Sequence, residues 1–282
     1  MKYAFVNGAK QEPEPKQEGV CCLCNNSVLS KCGTRKVWHW AHKSLKSCDS
    51  WWENETPWHR LWKSYFSKEN QEVVHFEENT GEKHIADIKT DDGMVIEIQN
   101  SPMNFDELSA RENFYQNMVW IVNGKNFEKN FAILDKLPEP YHQLFNDIVF
   151  RGYSNHSNFS DFKKYGKTIY RGDYFHKKSE NPEYEKCLIS YQKFNCMVQI
   201  HFAGEIEQEI EKAYAGHHLF CWKKSRDVWY QATKPVYIDF GGICLWWLKK
   251  YYLEDYRDLW CLQKVSKEEF VIKNNGKFPK IP

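Results

Sequence analysis

Hydrophobic positions along the chain change period several times, and each change marks an element. Between Glu55 and Glu69 the apolar residues Trp58, Leu61, Trp62, Tyr65 and Phe66 recur at helical spacing, which predicts a helix. The pattern then becomes strand-like: 72–76 is a short β-rich run, and 83–89 and 94–99 alternate. Thr90-Asp91-Asp92-Gly93 between the last two supplies the Asp-Gly pair of a tight hairpin turn. A helix is predicted from Phe105 to Tyr115 after Ser101-Pro102, and the apolar run Met118 to Val122, closed by Asn123-Gly124, reads as a buried strand. From Glu55 to Val122 the predicted order is therefore helix, strand, strand, strand, helix, strand.

Beyond residue 135 the signals weaken. Leu137-Pro138-Glu139-Pro140 reads as a joint and 155–160 as a polar loop. A helix is expected over 205–213, and strands over 236–240 and 243–248, split by Gly241-Gly242. Upstream, residues 1–19 read as a flexible lead-in, because 10–19 is polar and punctuated by proline. The predicted divisions are that lead-in, a Cys/His module at 20–50, an α/β domain at 51–135 and an α+β accessory region at 136–282.

Composition narrows the classes. The chain of 282 residues has 39 Lys+Arg against 38 Asp+Glu, a net charge of +1 that excludes a histone-like or supercharged binder. The mean hydropathy of -0.74 does not signal disorder here, since 12 Trp supply apolar area with a polar handle. No run approaches the roughly 20 apolar residues that cross a bilayer, and the N-terminus lacks a signal-peptide pattern. A cytoplasmic location and no membrane partner are expected, and in that reducing setting the ten cysteines read as metal ligands or free thiols.

Cys21-x2-Cys24 is followed after 14 residues by His39-x2-His42, a set that suits structural Zn²⁺: a knuckle presents two thiolates, and histidines three apart can join them from one helical face. Cys22, Cys32 and Cys48 are also available, and Cys22 could replace Cys21. The bland alternative is a set of reduced thiols beside a tryptophan-packed histidine pair. Downstream, Asp87 and Glu97 fall on adjacent strands of the predicted hairpin, with Glu97 and Gln99 on one strand face. Paired carboxylates there suit Mg²⁺ or Mn²⁺, although two solvent-facing acids on a hairpin are the plainer reading. Glu55, His59 and Lys63 are spaced four apart and share a helix face, either as a polar stripe or as functional groups. Arg111 and Tyr115 likewise share a face, as phosphate contacts or as packing. Asp239-Phe240-Gly241 has no kinase context, Arg171-Gly172-Asp173 is too short to carry meaning, and His217-His218 near Cys221 reads as a loop pair beside a buried thiol.

The order of elements, with an acid on one strand and Glu97-Ile98-Gln99 on the next, resembles the PD-(D/E)XK nuclease core, the restriction-endonuclease-like fold. More narrowly, the stretch from about 20 to 125 resembles the competence protein CoiA family. The resemblance is carried by Cys21-x2-Cys24, His39-Trp40-Ala41-His42, Glu55-Thr56-Pro57-Trp58-His59 with Lys63, His84-Ile85-Ala86-Asp87, Glu97-Ile98-Gln99-Asn100-Ser101, and Arg111 with Tyr115. It implies an active site at Asp87, Glu97 and Gln99, with Glu55 and His59 auxiliary. In that picture Asp87, Glu97 and the Ile98 carbonyl hold Mg²⁺ or Mn²⁺, Gln99 orients a water, and Lys63, Arg111 and Tyr115 meet DNA. The implied activity is a metal-dependent deoxyribonuclease in DNA uptake or recombination, repair or defence. The alternative is a catalytically silent, zinc-containing DNA-binding or processing adaptor.

Local charge allows a DNA partner despite the global balance. Residues 20–70 carry eight Lys and Arg against four Asp and Glu, interleaved with Trp38, Trp40, Trp51 and Trp52, a mixture that favours single-stranded or branched DNA. The C-terminal half, which carries no chemical constellation, is expected to meet protein partners.

Overall fold

The computed structural model describes residues 1–43, 48–53, 55–78, 80–151, 174–184, 198–223, 225–254, 257 and 259–279. It divides into two compact units: Met1–Asn123 with Val228–Pro235 and Lys267–Pro282, and Gly124–Asp227 with Val236–Ser266.

The first unit opens with five short strands: β1 (Ala4–Val6), β2 (Ala9–Gln11), β3 (Glu18–Val20), β4 (Ser27–Lys31) and β5 (His39–His42). They form an antiparallel sheet in the order β2-β1-β3-β4-β5. Residues 1–19 are thus not a flexible lead-in. Ala4 is fully buried, and it packs with Leu23, Val28 and Trp40 into a small core that Val74 and Ile85 join. Polar composition hid these strands, because each is three residues long, too short for a pattern of alternation to show.

Then come α1 (Pro57–Ser64), β6 (Gln71–Phe76), β7 (Lys83–Lys89), β8 (Val95–Gln99), α2 (Phe105–Tyr115) and β9 (Met118–Asn123). This is the element order the sequence predicts. The strands stand in the order β9-β8-β7-β6; β8 and β9 are parallel and the other neighbours antiparallel. Every residue of β8 and β9 is buried, which explains the unbroken apolar run of β9, while β8 buries Glu97 and Gln99 among its apolar residues. Helix α1 starts where Thr56 caps it, Pro57 fills the first turn and His59 reaches back to the Thr56 backbone. Its buried face is His59, Trp62 and Lys63, whereas Leu61 is exposed. Apolar spacing alone therefore put Leu61 on a face that the fold leaves exposed. Trp62 is also met edge-on by Phe270 of the helix Lys267–Lys273, which belongs to this unit.

Trp120 sits at the centre of the unit: it is fully buried, its ring lies 5.5 Å from Trp229, and its indole N–H donates to Glu112 Oε1 at 2.9 Å. Glu112 also accepts from the Thr233 backbone N–H and hydroxyl. Trp120→Ala is expected to cost about 3–5 kcal/mol, read as a lower urea midpoint.

The second unit contains β10 (Phe131–Pro138), β11 (Ile148–Arg151), β12 (Tyr174–Lys177), β13 (His201–Phe202), β14 (Tyr214–Trp222), β15 (Val236–Asp239), β16 (Cys244–Lys250) and β17 (Trp260–Ser266). One antiparallel sheet runs β10-β14-β17-β16-β15 and a second runs β11-β12-β13. Leu137 and Pro138, expected at a joint, end β10 instead. The helix expected at 205–213 is a 3-10 turn, Ala203–Ile206, running into Glu207–Lys212. The polar loop expected at 155–160 and Arg171-Gly172-Asp173 lie outside the described residues. No helix among the described residues is long and apolar enough to cross a membrane.

Candidate metal centre and acidic cleft

Two constellations emerge in the first unit, one of thiols and one of carboxylates. The first is Cys21, Cys24, His42 and Cys48, whose ligand atoms lie within 4.8 Å of one another. The knuckle closes because Asn25 takes a left-handed φ of 60° and the Cys21 N–H bonds the Asn26 carbonyl at 2.8 Å. Cys21 Sγ and Cys48 Sγ are 3.6 Å apart, and Cys24 Sγ and His42 Nε2 3.3 Å. Tetrahedral zinc, with bonds of about 2.3 Å to sulfur and about 2.0 Å to nitrogen, spans edges of roughly 3.5–3.8 Å between such ligands. The donor set therefore fits structural Zn²⁺. Burial pushes the His42 pKa down, which keeps its imidazole neutral and free to coordinate. Burial raises the thiols as well, but at Cys24 the Asn26 N–H and the neighbouring thiols outweigh it and favour the thiolate.

His39, expected as a ligand, is not one of the four. The pair lies on strand β5, where residues three apart point to opposite faces; His39 Nδ1 turns to the Val37 carbonyl at 2.9 Å, and Cys48 takes the fourth place. Cys22 points toward the Tyr3 carbonyl and does not replace Cys21.

The second constellation lies at a fork in the sheet. The ladder between β7 and β8 pairs Ile88 with Ile96 and Lys89 with Val95. At the next step side chains stand in for the backbone: the Asp87 N–H donates to Glu97 Oε1 at 3.2 Å, and the Ile98 N–H donates to Asp87 Oδ2 at 3.0 Å. The two carboxylates thus meet where the strands part. They line an open cleft with Glu55, His59, Lys63, Glu72, Arg111 and Tyr115. Asp49, Trp51, Trp52 and Glu53 complete one side. Six carboxylates in that lining face two cationic side chains, Lys63 and Arg111.

Lys63 is buried and held by three acids: Asp87 at 2.9 Å, Glu72 at 3.0 Å and Glu55 at 3.1 Å. Burial pulls its pKa down, but the charges of Asp87, Glu72 and Glu55 overcome that and hold it well above the ordinary lysine value. Glu72 is the acid with no sequence signal. The register between the pairs Gln71↔Ile88 and Val73↔Ala86 puts it opposite Asp87, and its backbone is left-handed at φ 46°. Burial opposes its ionisation, yet Lys63 and the Lys2 and Tyr3 N–H groups lower its pKa.

Glu97 is pushed up to about 8, first by burial and then by the Asp87 charge, with Arg111 only partly offsetting them. Arg111 Nη1 reaches Glu97 Oε2 at 3.1 Å, and its Nη2 donates to the Trp51 carbonyl at 2.8 Å. Lys63 and Arg111, expected as contacts for DNA phosphate, are therefore not free surface cations but buried groups that hold the carboxylates, and Tyr115, expected with them, is buried with its ring against Trp51, His75 and Phe114. Glu55 precedes the cap of α1, so it does not share a helix face with His59 and Lys63, although it bonds Lys63 and Arg60 across the cleft. Gln99 is buried, its amide donates to the Ser101 carbonyl at 3.0 Å, and it is not part of the cleft lining. It stands at the last residue of β8, where the chain turns, and the following loop claims its amide.

His59 has a defined tautomer. Its Nδ1 faces the Thr56 backbone N–H at 3.1 Å, which can only donate, so the neutral ring carries its proton on Nε2.

Residues 9–50 match the family model described as Competence protein CoiA, N-terminal domain. The chain is CoiA-like over this stretch. All four thiol and imidazole ligands of the zinc-type centre fall inside the CoiA-like segment, and the Asp87/Glu97 fork falls after it, although Asp49 of the same cleft lies within it. No curated protein and no solved structure matches the chain.

Proposed function

We propose that the chain is a metal-dependent nuclease that hydrolyses DNA phosphodiester bonds, with a CoiA-like zinc module ahead of a PD-(D/E)XK-like core. The observation that carries the proposal is the fork of β7 and β8, which brings Asp87 and Glu97 together in a cleft with more acid than base. Like charges crowded in a buried place favour a hard divalent cation, and Asp87, Glu97 and the Ile98 carbonyl would hold it. Mg²⁺ or Mn²⁺, when bound, supplies Lewis acidity and lowers the pKa of a bound water. Lys63 pairs with Asp87 at 2.9 Å and provides the positive charge that Gln99 lacks. His59 offers its Nε2–H as a donor to a phosphate or leaving oxygen, and Glu55 holds Lys63 and Arg60 in place. Trp52, exposed on the cleft lining, and Trp38, also exposed, offer rings to unpaired bases, which supports a single-stranded or branched substrate. The CoiA-like domain supports a setting in competence, through DNA uptake or recombination, with repair and defence as other settings for the same chemistry.

One observation favours the second reading, a DNA-binding or processing adaptor: Lys63 and Arg111 already bond both carboxylates of the pair. Purified chain incubated with single-stranded, duplex and branched DNA separates the two. Cleavage that needs Mg²⁺ or Mn²⁺ supports the nuclease, while tight binding with no cleavage under any of these ions supports the adaptor.

A pH effect follows from Glu97. Its carboxyl has an ordinary value of 4.5 and in the fold is raised to about 8, so the folded state binds the proton more tightly than the unfolded one. The stability this contributes is fully present below the ordinary value and is lost as pH rises through about 8. The thermal midpoint of metal-free protein is expected to fall across that window. Glu97→Gln should flatten the slope, and Mn²⁺ should restore stability at the alkaline end.

A further inference from the structure

We infer that residues 48–53 are a zinc-anchored strap that positions the Asp87/Glu97 pair, so that filling the Cys21/Cys24/His42/Cys48 centre raises the affinity of the cleft for a divalent cation. The inference rests on reading the fork as a cation site. Cys48 gives the strap a ligand at its start, and the next residue, Asp49, is buried against β7. Asp49 Oδ1 takes the His84 ring at 2.8 Å and the Trp51 N–H at 3.0 Å, and its Oδ2 takes the Ile85 N–H at 2.9 Å, two residues before Asp87. The Trp51 ring stacks on His84 with centroids 3.3 Å apart, and meets Phe114 of α2 edge-on at 5.4 Å. The Trp51 carbonyl holds Arg111, which in turn holds Glu97. At the far end Glu53 Oε2 accepts from the Ser101 N–H and hydroxyl, just past β8.

Six residues thus stitch together the three places that set the fork: β7 with Asp87, α2 with Arg111, and the exit of β8. The links are a ring stack and hydrogen bonds, buried or part-buried except those of Glu53 to Ser101 at the surface, and their discrete geometry transmits a displacement at one end to the other. A strap released from zinc at Cys48 loses its anchor one bond from Asp49. Asp49 and Trp51 act here as positioning residues, through His84 and Arg111.

The test uses the full chain, zinc-loaded and after zinc removal, with two readouts: Mn²⁺ affinity from the free-ion electron paramagnetic resonance signal, and backbone hydrogen exchange. Zinc removal is expected to weaken Mn²⁺ binding about ten- to hundredfold and to raise exchange in 49–53, 84–87 and 97–101. Asp49→Asn, which leaves one acceptor oxygen where three donors call on two, should keep stoichiometric zinc and reproduce both changes. Unchanged exchange at 84–87 in zinc-free protein, or Asp49→Asn with wild-type exchange and affinity, overturns the strap. If zinc-loaded wild type binds no Mn²⁺, the cation reading of the fork fails, and exchange at 84–87 and 97–101 still decides whether the strap positions those segments.

Discussion

Asp87→Asn and Glu97→Gln are each expected to lower Mg²⁺- or Mn²⁺-dependent DNA cleavage by at least about a hundredfold, the scale of losing one preorganised charge at a reacting phosphate, while the protein stays folded. The choice of isosteres matters. Asp87→Asn retains an oxygen for the Ile98 N–H, and Glu97→Gln retains one for the Asp87 N–H, so the backbone contacts of the fork are kept, while the charge and the ion pair to Lys63 or Arg111 are lost together. Glu97→Ala would also remove the acceptor of the Asp87 N–H and the bulk beside Arg111, which confuses a lost charge with a damaged fold. Burial and the Asp87 charge push the Glu97 carboxyl up to about 8, so the fold takes up a proton at neutral pH that Glu97→Gln does not need. That offsets the lost Arg111 contact and should keep the variant close to wild type in thermal stability even as cleavage disappears. Lys63→Met has the opposite signature. It leaves Glu55, Glu72 and Asp87 clustered without their shared cation, and is expected to cost about 3–5 kcal/mol of stability as well as cleavage. Cleavage within twofold of wild type in both isosteres would remove the catalytic assignment.

What the sequence revealed and what it hid follow from one distinction. Elements with a clean period were legible: α2 at Phe105–Tyr115, β7 at Lys83–Lys89 and the apolar run of β9 all lie where the pattern puts them. The pairing of Asp87 with Glu97 was legible too, because a tight Asp-Gly hairpin fixes which residues stand across from one another. Charge partners were not legible. Lys63 could be placed on a helix face by spacing, but spacing cannot say that the face turns inward onto Glu72 and Asp87, since Glu72 comes from another strand and carries a left-handed backbone. Arg111 was hidden in the same way: a helical arginine reads as surface until tertiary packing supplies a buried carboxylate. Gln99 shows the reverse failure. Its strand alternation was read correctly, yet the loop after β8 captures its amide, a contact with no period at all.

Replacing Cys24, His42 or Cys48 by serine or alanine is expected to abolish stoichiometric zinc and unravel the N-terminal sheet, whereas His39→Ala keeps both. The size of the effect comes from the smallness of the module. Strands of three to five residues around Trp40, Leu23 and Val28 bury too little to stand alone, while structural zinc sites contribute an apparent binding free energy of about 10–16 kcal/mol at neutral pH. Fluorescence should report the change, because Trp40 is buried in that core and its indole N–H donates to the Gln11 carbonyl at 3.0 Å. Elemental analysis then tests the corrected ligand set directly. Two histidines three apart could serve one ion from a helix, but β5 is a strand, and only one of them can face Cys24. Zinc retained in Cys48→Ser and lost in His39→Ala would mean that the centre is built as the residue spacing first suggested, with Cys48 a bystander thiol. Zinc lost in Cys48→Ser and kept in His39→Ala fixes a Cys3His centre whose last ligand lies beyond the His-x2-His block, one residue ahead of the carboxylate that grips β7.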